Sequence, residues 1–373
     1  MTRVCLDVSS AMLQSAGIAR YARELTLALQ RLPDAPELSL FHNAASLDRM
    51  PLAWHNLPRS EVPLGNKAWR LFLLTGLRLP NAWSRVISQS QVFHGLDYII
   101  PSLSQPTVMT VHDLTALRFP EYHSLFNRAY QCLALPIMLR RASAILTDAL
   151  CTKEDLQNFL HVPAQKITVT PLGIDHSRFK PHSKLEAQNR VSTEFGVQGP
   201  FILGLGTLEP RKNLVGLLHA FAELSDGPEQ LVLVGASGWG DVSPAQLAES
   251  MGLSHRVKFT GFVHDDLLPI LYSAAACFVY PSFYEGFGLP VLEAMACGAA
   301  VITSNTSSLP EVAGDAALLV SPSDTKELVA AIRRLLQDTT LVQKLSEAGQ
   351  NRAKRFSWER TARETLGVYQ SLV

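Results

Sequence analysis

Tyr284-Glu285-Gly286-Phe287-Gly288-Leu289-Pro290-Val291-Leu292-Glu293 is the most informative run in this chain of 373 residues. Pro290 suits the first turn of a helix, where its missing N–H is no loss. A helix opening near Gly288 leaves its leading backbone N–H groups unpaired and aimed forward, a ready site for an anionic oxygen. Gly286 and Gly288 let a ligand approach the backbone closely. Glu285 lies just before the predicted helix start and Glu293 about one and a half turns inside, roughly 8–10 Å away along the axis. That span is too long for both carboxylates to hold one atom. It suits gripping two ends of an extended ligand, such as hydroxyls on either side of a phosphate linkage. Taken alone, the same run also reads as a turn followed by a surface helix with a solvated second glutamate.

Outward from this run the chain alternates strand and helix. Upstream come apolar strands at Phe201–Leu205, Leu231–Val234, Val257–Thr260 and Cys277–Tyr280, with helices predicted over Leu214–Leu224, Pro244–Met251 and Leu267–Ala275. Downstream lie strands at Ala300–Thr303 and Leu318–Val320, then helices near 324–337 and 340–353. Uninterrupted apolar strands such as Leu231-Val232-Leu233-Val234 mark a sheet covered on both faces. The first half repeats the alternation. Strands are predicted at Val4–Val8, Val92–His94, Thr107–Val111, Ala144–Thr147 and Lys166–Thr170, and helices follow Gly17 and span Ala129–Ala142 and Lys153–Leu160. Two doubly wound α/β domains in series follow: residues 1–175, a polar linker over 176–199, and 200–356. A terminal helix over 357–373 can cross back to the first domain.

The length is too great for one ordinary core and fits two. No apolar run approaches the ~18 residues of a spanning helix, and no signal-peptide pattern opens the chain. Five cysteines, odd in number and never in a C-x-x-C pair, point to reduced thiols in a cytoplasmic protein and away from a zinc site. Lys and Arg balance Asp and Glu overall, but residues 1–172 carry a net +4 and the rest −4. Within 62–96, Lys67, Arg70, Arg78 and Arg85 meet no acidic residue and alternate with Trp69, Leu71, Phe72 and Trp83. Such a stretch suits either a peripheral helix on an anionic membrane surface, at its inner face, or a domain helix with solvated charges. A nucleic-acid partner is not expected, since no binding module is present and the charge excess is small.

Ligands of doubly wound sheets bind beyond the carboxyl ends of the strands. After the first strand of the second domain comes Gly206-Thr207-Leu208-Glu209-Pro210-Arg211-Lys212-Asn213, whose adjacent cations suit an anion. Gly235-Ala236-Ser237-Gly238 follows the second strand but is neither a dinucleotide fingerprint nor a Walker loop. Gly261-Phe262-Val263 can wall a base. In the first domain Ser15-Ala16-Gly17-Ile18 can offer backbone amides to a phosphate, and His112-Asp113 ends the strand Thr107–Val111, where a histidine can donate to a reacting sugar. His42 and His94 stay unassigned. No Ser-His-Asp elbow or H-E-x-x-H is present.

The Gly206–Asn213 loop, the Glu285-x7-Glu293 run and Ser308-Leu309-Pro310-Glu311-Val312 together resemble the family 4 glycosyltransferases of the GT-B fold, and among them the bacterial O-antigen mannosyltransferases. The likeness extends to Val111-His112-Asp113-Leu114 and Thr170-Pro171-Leu172-Gly173-Ile174-Asp175. It implies two Rossmann-like domains facing across a cleft. It also implies a retaining, metal-independent transfer, with no cofactor, of a hexose from a nucleotide-sugar donor, mannose from GDP-mannose first, to a lipid-linked glycan acceptor. Arg211 and Lys212 would then neutralise the diphosphate, with Gly17, Gly206 and Gly235 at the donor. The Gly286–Leu289 backbone would hold sugar and phosphate. Glu285 would take sugar hydroxyls, Glu293 the ribose diol, and His112 the transferred sugar. Many relatives carry Gly-Gly where this chain has Ala16-Gly17. A nucleotide-sugar 2-epimerase and a non-catalytic nucleotide-binding subunit are the alternatives at this point.

Overall fold

The computed structural model describes residues 1–13, 17–43, 50–123, 125–224, 227–240 and 242–373. The chain divides into two compact units, Met1–Gly173 with Ser357–Val373, and Ile174–Phe356.

The first unit holds seven parallel strands: β1 (Arg3–Asp7), β2 (Glu37–Asn43), β3 (Arg59–Val62), β4 (Val92–Gly95), β5 (Thr107–Val111), β6 (Ala144–Thr147) and β7 (Ile167–Val169). Their order is β3-β2-β1-β4-β5-β6-β7, so the winding reverses between β1 and β4. β4 and β5 are buried along their whole length, as strands covered on both faces must be. The helix Gly17–Arg31 buries Tyr21, Ala22, Leu25 and Leu29 on one face, the periodicity its sequence shows.

The second unit repeats the plan with β8 (Phe201–Leu205), β9 (Gln230–Val234), β10 (Val257–Gly261), β11 (Cys277–Tyr280), β12 (Val301–Ser304) and β13 (Leu318–Val320). The order is β10-β9-β8-β11-β12-β13, all parallel. Its core joins Ile202, Leu231, Leu233, Val279 and Ile302 from the sheet to Leu217, Phe221 and Ile332 from the helices. Here the winding reverses between β8 and β11, so the loops that follow these two strands meet at one edge.

Two differences from the sequence reading have physical causes. β2 and β3 were not expected. β3 is a four-residue edge strand, Arg-Ser-Glu-Val, with only Ser60 and Val62 buried, too short and polar to announce itself. The stretch 176–199, read as a linker, contains the helix Lys184–Phe195. It belongs to the second unit and packs on the helix Leu268–Ala274. Few of its side chains are apolar, and only Ala187 and Val191 are buried, so its period is faint. The basic stretch 62–96 folds into the helices Asn66–Leu74 and Asn81–Gln89. Trp69 and Leu73 are core residues, while Lys67, Arg78 and Arg85 are exposed and Arg70 is half-buried.

The terminal helix Trp358–Ser371 lies in the first unit against the helix Gly17–Arg31. Ser357 caps it by accepting from the Arg360 N–H. Its Tyr369 hydroxyl meets His94 Nδ1 at 2.6 Å, and His94 Nε2 meets the Thr110 hydroxyl at 2.8 Å. Burial pushes the His94 imidazole down to about 3, so it is a neutral structural group.

Candidate active site

Two loops of the second unit build one charged cluster at the reversal between β8 and β11. Beyond β8, Gly206 turns the chain with φ 142°. A side chain there would press on the Lys212 stem, 3.2 Å from the added carbon. Gly235 carries φ 154°, and any Cβ on it would lie 2.0 Å from the Gly206 carbonyl oxygen. Both glycines therefore let two loops touch, and Lys212 lies along the result. Pro210–Lys212 forms a single 3-10 turn ended by Asn213 in the left-handed region. The Asn213 amide donates to the carbonyls of Pro281 and Pro322 at 3.2 and 2.7 Å, which fixes the turn against the end of β11.

Lys212 Nζ stands 2.7 Å from Glu285 Oε1 and 2.7 Å from the Tyr280 hydroxyl. That hydroxyl donates to the same Oε1 at 3.0 Å. Arg211 pairs with Glu285 Oε2 at 2.9 Å, with Glu209 at 2.6 Å, and donates to the Tyr284 carbonyl at 2.9 Å. Glu285 is 7% exposed. Burial alone would raise its carboxyl, but Arg211 and Lys212 outweigh burial and hold it at about 2. Burial lowers the Lys212 ammonium from its ordinary range, against the pull of Glu285. Two cations and two carboxylates thus balance, with both cations held ready at one edge.

The helix Leu289–Ala296 starts beside them. Gly288 caps it with φ 110°, and an added Cβ would lie 2.7 Å from Leu309, so the position admits only glycine. Ser308 Oγ donates to the carbonyls of Glu285 and Phe287 at 2.9 and 2.8 Å, and Ser307 Oγ accepts from the Glu285 N–H at 3.0 Å. With the loop pinned this way, the Val291 and Leu292 N–H groups donate to the Gly288 carbonyl at 3.0 and 3.4 Å, which leaves the amides of the preceding turn, Gly286 to Leu289, as the groups that favour an anion. Glu293, one turn inside, is 2% exposed, and its Oε2 accepts from the Tyr272 hydroxyl at 3.1 Å.

In the first unit His112 follows β5. Its Nδ1 donates to Asp148 Oδ2 at 2.6 Å and its Nε2 to the Leu96 carbonyl at 3.1 Å, so both nitrogens carry protons. Burial opposes the charge, but Asp148 prevails and the imidazole rises to about 9. The Tyr21 ring sits edge-on at 4.8 Å, and its hydroxyl meets Thr110 at 2.9 Å, which fixes the imidazole plane. Among the described residues no three His, Cys, Asp or Glu side chains converge as metal ligands.

The family profile described as "Glycosyl transferases group 1" matches residues 186–352, and "Glycosyltransferase Family 4" matches residues 15–178. The chain is 35% identical to the O-antigen chain mannosyltransferase B of Escherichia coli, over 95% of this chain and 96% of that protein. This is a family 4 glycosyltransferase. It is also 30% identical to the O-antigen chain mannosyltransferase RfbU of Salmonella typhimurium, over 64% of this chain and 63% of that one. Among solved structures, Anabaena HepE in complex with UDP and glucose superposes with a TM-score of 0.78 at 20% identity, covering all of both chains. The two doubly wound units are thus the Rossmann-like domains of the GT-B fold.

Within this glycosyltransferase the structure brings Gly206, Arg211, Lys212, Gly235, Glu285 and the Gly286–Leu289 backbone to one edge. Phe262 is 67% exposed and offers a free ring face after β10, whereas Val263 is 7% exposed and belongs to the core. Gly17 is exposed at the first position of its helix, and Ser15 and Ala16 lie outside the described residues. Sequence reasoning missed Tyr280, Glu209, Asn213 and Asp148. Asp148 could have been found by the rule that found His112, since it is the polar residue just past a buried strand. Nothing local marks Tyr280, which becomes a partner of Lys212 only when β8 and β11 lie side by side.

Proposed function

We propose that this glycosyltransferase moves mannose from GDP-mannose, with retention of anomeric configuration, to a lipid-linked or polysaccharide acceptor in O-antigen synthesis. The observation that carries the reading is the convergence of Arg211 and Lys212 on Glu285 beside the opening of the helix Leu289–Ala296. Half-buried cations beside the amides at the opening of a helix stabilise the charge that develops on a departing diphosphate. They do so with no metal ion, and no nucleophilic side chain is needed if the acceptor attacks the face that the leaving phosphate oxygen vacates. That phosphate oxygen then takes the acceptor proton. Glu285 lies where sugar hydroxyls can share its oxygens, and Phe262 offers a stacking face for the base. Likeness to the two O-antigen mannosyltransferases supports mannose.

His112, held cationic, would present a polarised ring edge to the transferred sugar. Lys67, Arg78 and Arg85 are exposed beside Leu71 and Leu77, which supports attachment to the anionic cytoplasmic face of a membrane. Among the described residues no helix is long and apolar enough to cross one. The test is a transfer assay with GDP-mannose, UDP-glucose and UDP-galactose against lipid-linked mannosyl acceptors, with and without EDTA, and product linkage read by NMR. The expected result is an α-mannoside formed equally well with EDTA. Transfer confined to a UDP-sugar, a β-linked product, or loss of activity with EDTA each refutes the corresponding part.

A further inference from the structure

Tyr280 brings a neutral hydroxyl into the charged cluster beyond β8 and β11. The residue ends β11, is 2% exposed, and is braced on several sides. Its carbonyl accepts from the Thr303 hydroxyl at 2.9 Å. Its ring lies 22° from parallel to that of Phe278, with centroids 5.8 Å apart, and the Lys212 ammonium sits 5.1 Å from its centroid. A ring so fixed holds its hydroxyl at a set point. That hydroxyl gives its single hydrogen to Glu285 Oε1 at 3.0 Å, which turns its lone pairs toward Lys212 Nζ, 2.7 Å away. Burial, and then the Glu285 charge, push the phenol well above its ordinary range, so it stays protonated and takes no part in proton transfer.

Lys212 carries three N–H donors. Glu285 Oε1 at 2.7 Å takes one and the Tyr280 hydroxyl takes a second. Two anchors fix both the place of Nζ and the rotation about its bond to the stem, so the third N–H has one direction. The Lys212 side chain is 12% exposed, and an anionic ligand oxygen suits that third N–H. Without the hydroxyl, Glu285 alone would hold the end of a flexible four-carbon stem. The hydroxyl oxygen also favours the charged ammonium by accepting from it. Burial and then Arg211 oppose that charge, while Glu285 and Glu209 support it.

We propose that Tyr280 is a positioning residue whose hydroxyl aims the remaining N–H of Lys212 at an oxygen of the donor diphosphate. The role deepens the transferase reading above and rests on it for the identity of that diphosphate. The test is a double-mutant cycle on the full chain, read as the affinity for GDP relative to that for guanosine, from about pH 7.5 to 9.5. The ratio isolates the diphosphate and cancels titration of the base. Tyr280→Phe keeps the ring and its packing, and guanosine binding checks the fold. The expected ratio in Tyr280→Phe is about tenfold lower than in wild type, the size of one hydrogen bond to a charged group. Its alkaline decline should begin at a lower pH, and adding Tyr280→Phe to Lys212→Ala should cost nothing further. A wild-type ratio and pH profile in Tyr280→Phe, or an equal loss on the Lys212→Ala background, overturns the proposal. If mannose is transferred while the cycle fails, the role of Tyr280 alone falls. A chain that passes the cycle but transfers no sugar refutes the transferase reading and leaves Tyr280 its place at a diphosphate.

Discussion

Replacing Glu285 with Gln separates the structural role of this carboxylate from its chemistry. Its two oxygens stand between Lys212 at 2.7 Å and Arg211 at 2.9 Å. The carboxyl titrates at about 2 in the fold against an ordinary 4.5. At about 1.4 kcal/mol per tenfold, that gap is worth roughly 3 kcal/mol to the folded state. Because the folded value is the lower one, the contribution is complete above the unfolded value and fades as pH falls toward the folded one. Glu285→Gln keeps the shape but loses the charge. It should be less stable by roughly 3 kcal/mol at pH 7, and the difference should shrink by roughly 1 kcal/mol at pH 4. Urea unfolding followed by hydrogen exchange on peptides from residues 200–300 reads the second unit by itself. The variant also leaves two cations without their counter-anion, so GDP should bind at least as tightly while transfer collapses. A stability gap that stays constant from pH 7 to pH 4, or wild-type stability throughout, would refute the electrostatic account.

Other expected outcomes are as direct. Lys212→Ala should weaken GDP binding and lower turnover by about 2–4 kcal/mol in the transition state, or 30- to 1000-fold; unchanged kinetics would remove the diphosphate role. Asp148→Asn should lower the His112 imidazole well below about 9, because only the Asp97 charge and the Leu96 carbonyl then oppose burial; a ring-proton NMR titration matching wild type contradicts this. In wild type the stabilisation from the charged His112 is present below pH 6.5 while Asp148, whose carboxyl burial raises, stays ionised, and it is lost as pH rises through 9. Changing Lys67, Arg78 and Arg85 together to Ser should reduce sedimentation with phosphatidylglycerol vesicles and leave GDP affinity alone, and undiminished sedimentation would end the membrane reading.

Much of the architecture was legible without coordinates. The strands Thr107–Val111, Ala144–Thr147, Phe201–Leu205 and Cys277–Tyr280 coincide residue for residue with those expected, and the helix Leu289–Ala296 opens beside Gly288 as expected. These are runs whose apolar content or period is set by burial on two faces, and Pro290 and Gly288 mark a helix start by backbone sterics alone. What escaped detection was marginal in the same terms: a polar edge strand at Arg59–Val62 and a helix at Lys184–Phe195 with two buried residues.

By itself, the sequence determined that there are two doubly wound domains, that Arg211, Lys212 and Glu285 occupy loops at strand ends, and that His112 does likewise, since strand period and turn chemistry are local properties. Which of those loops meet was decided only in three dimensions. The order of strands in a sheet is a nonlocal choice, and it sets β8 beside β11 and β1 beside β4. That choice gives Lys212 its partners Tyr280 and Glu285 and gives His112 its Asp148.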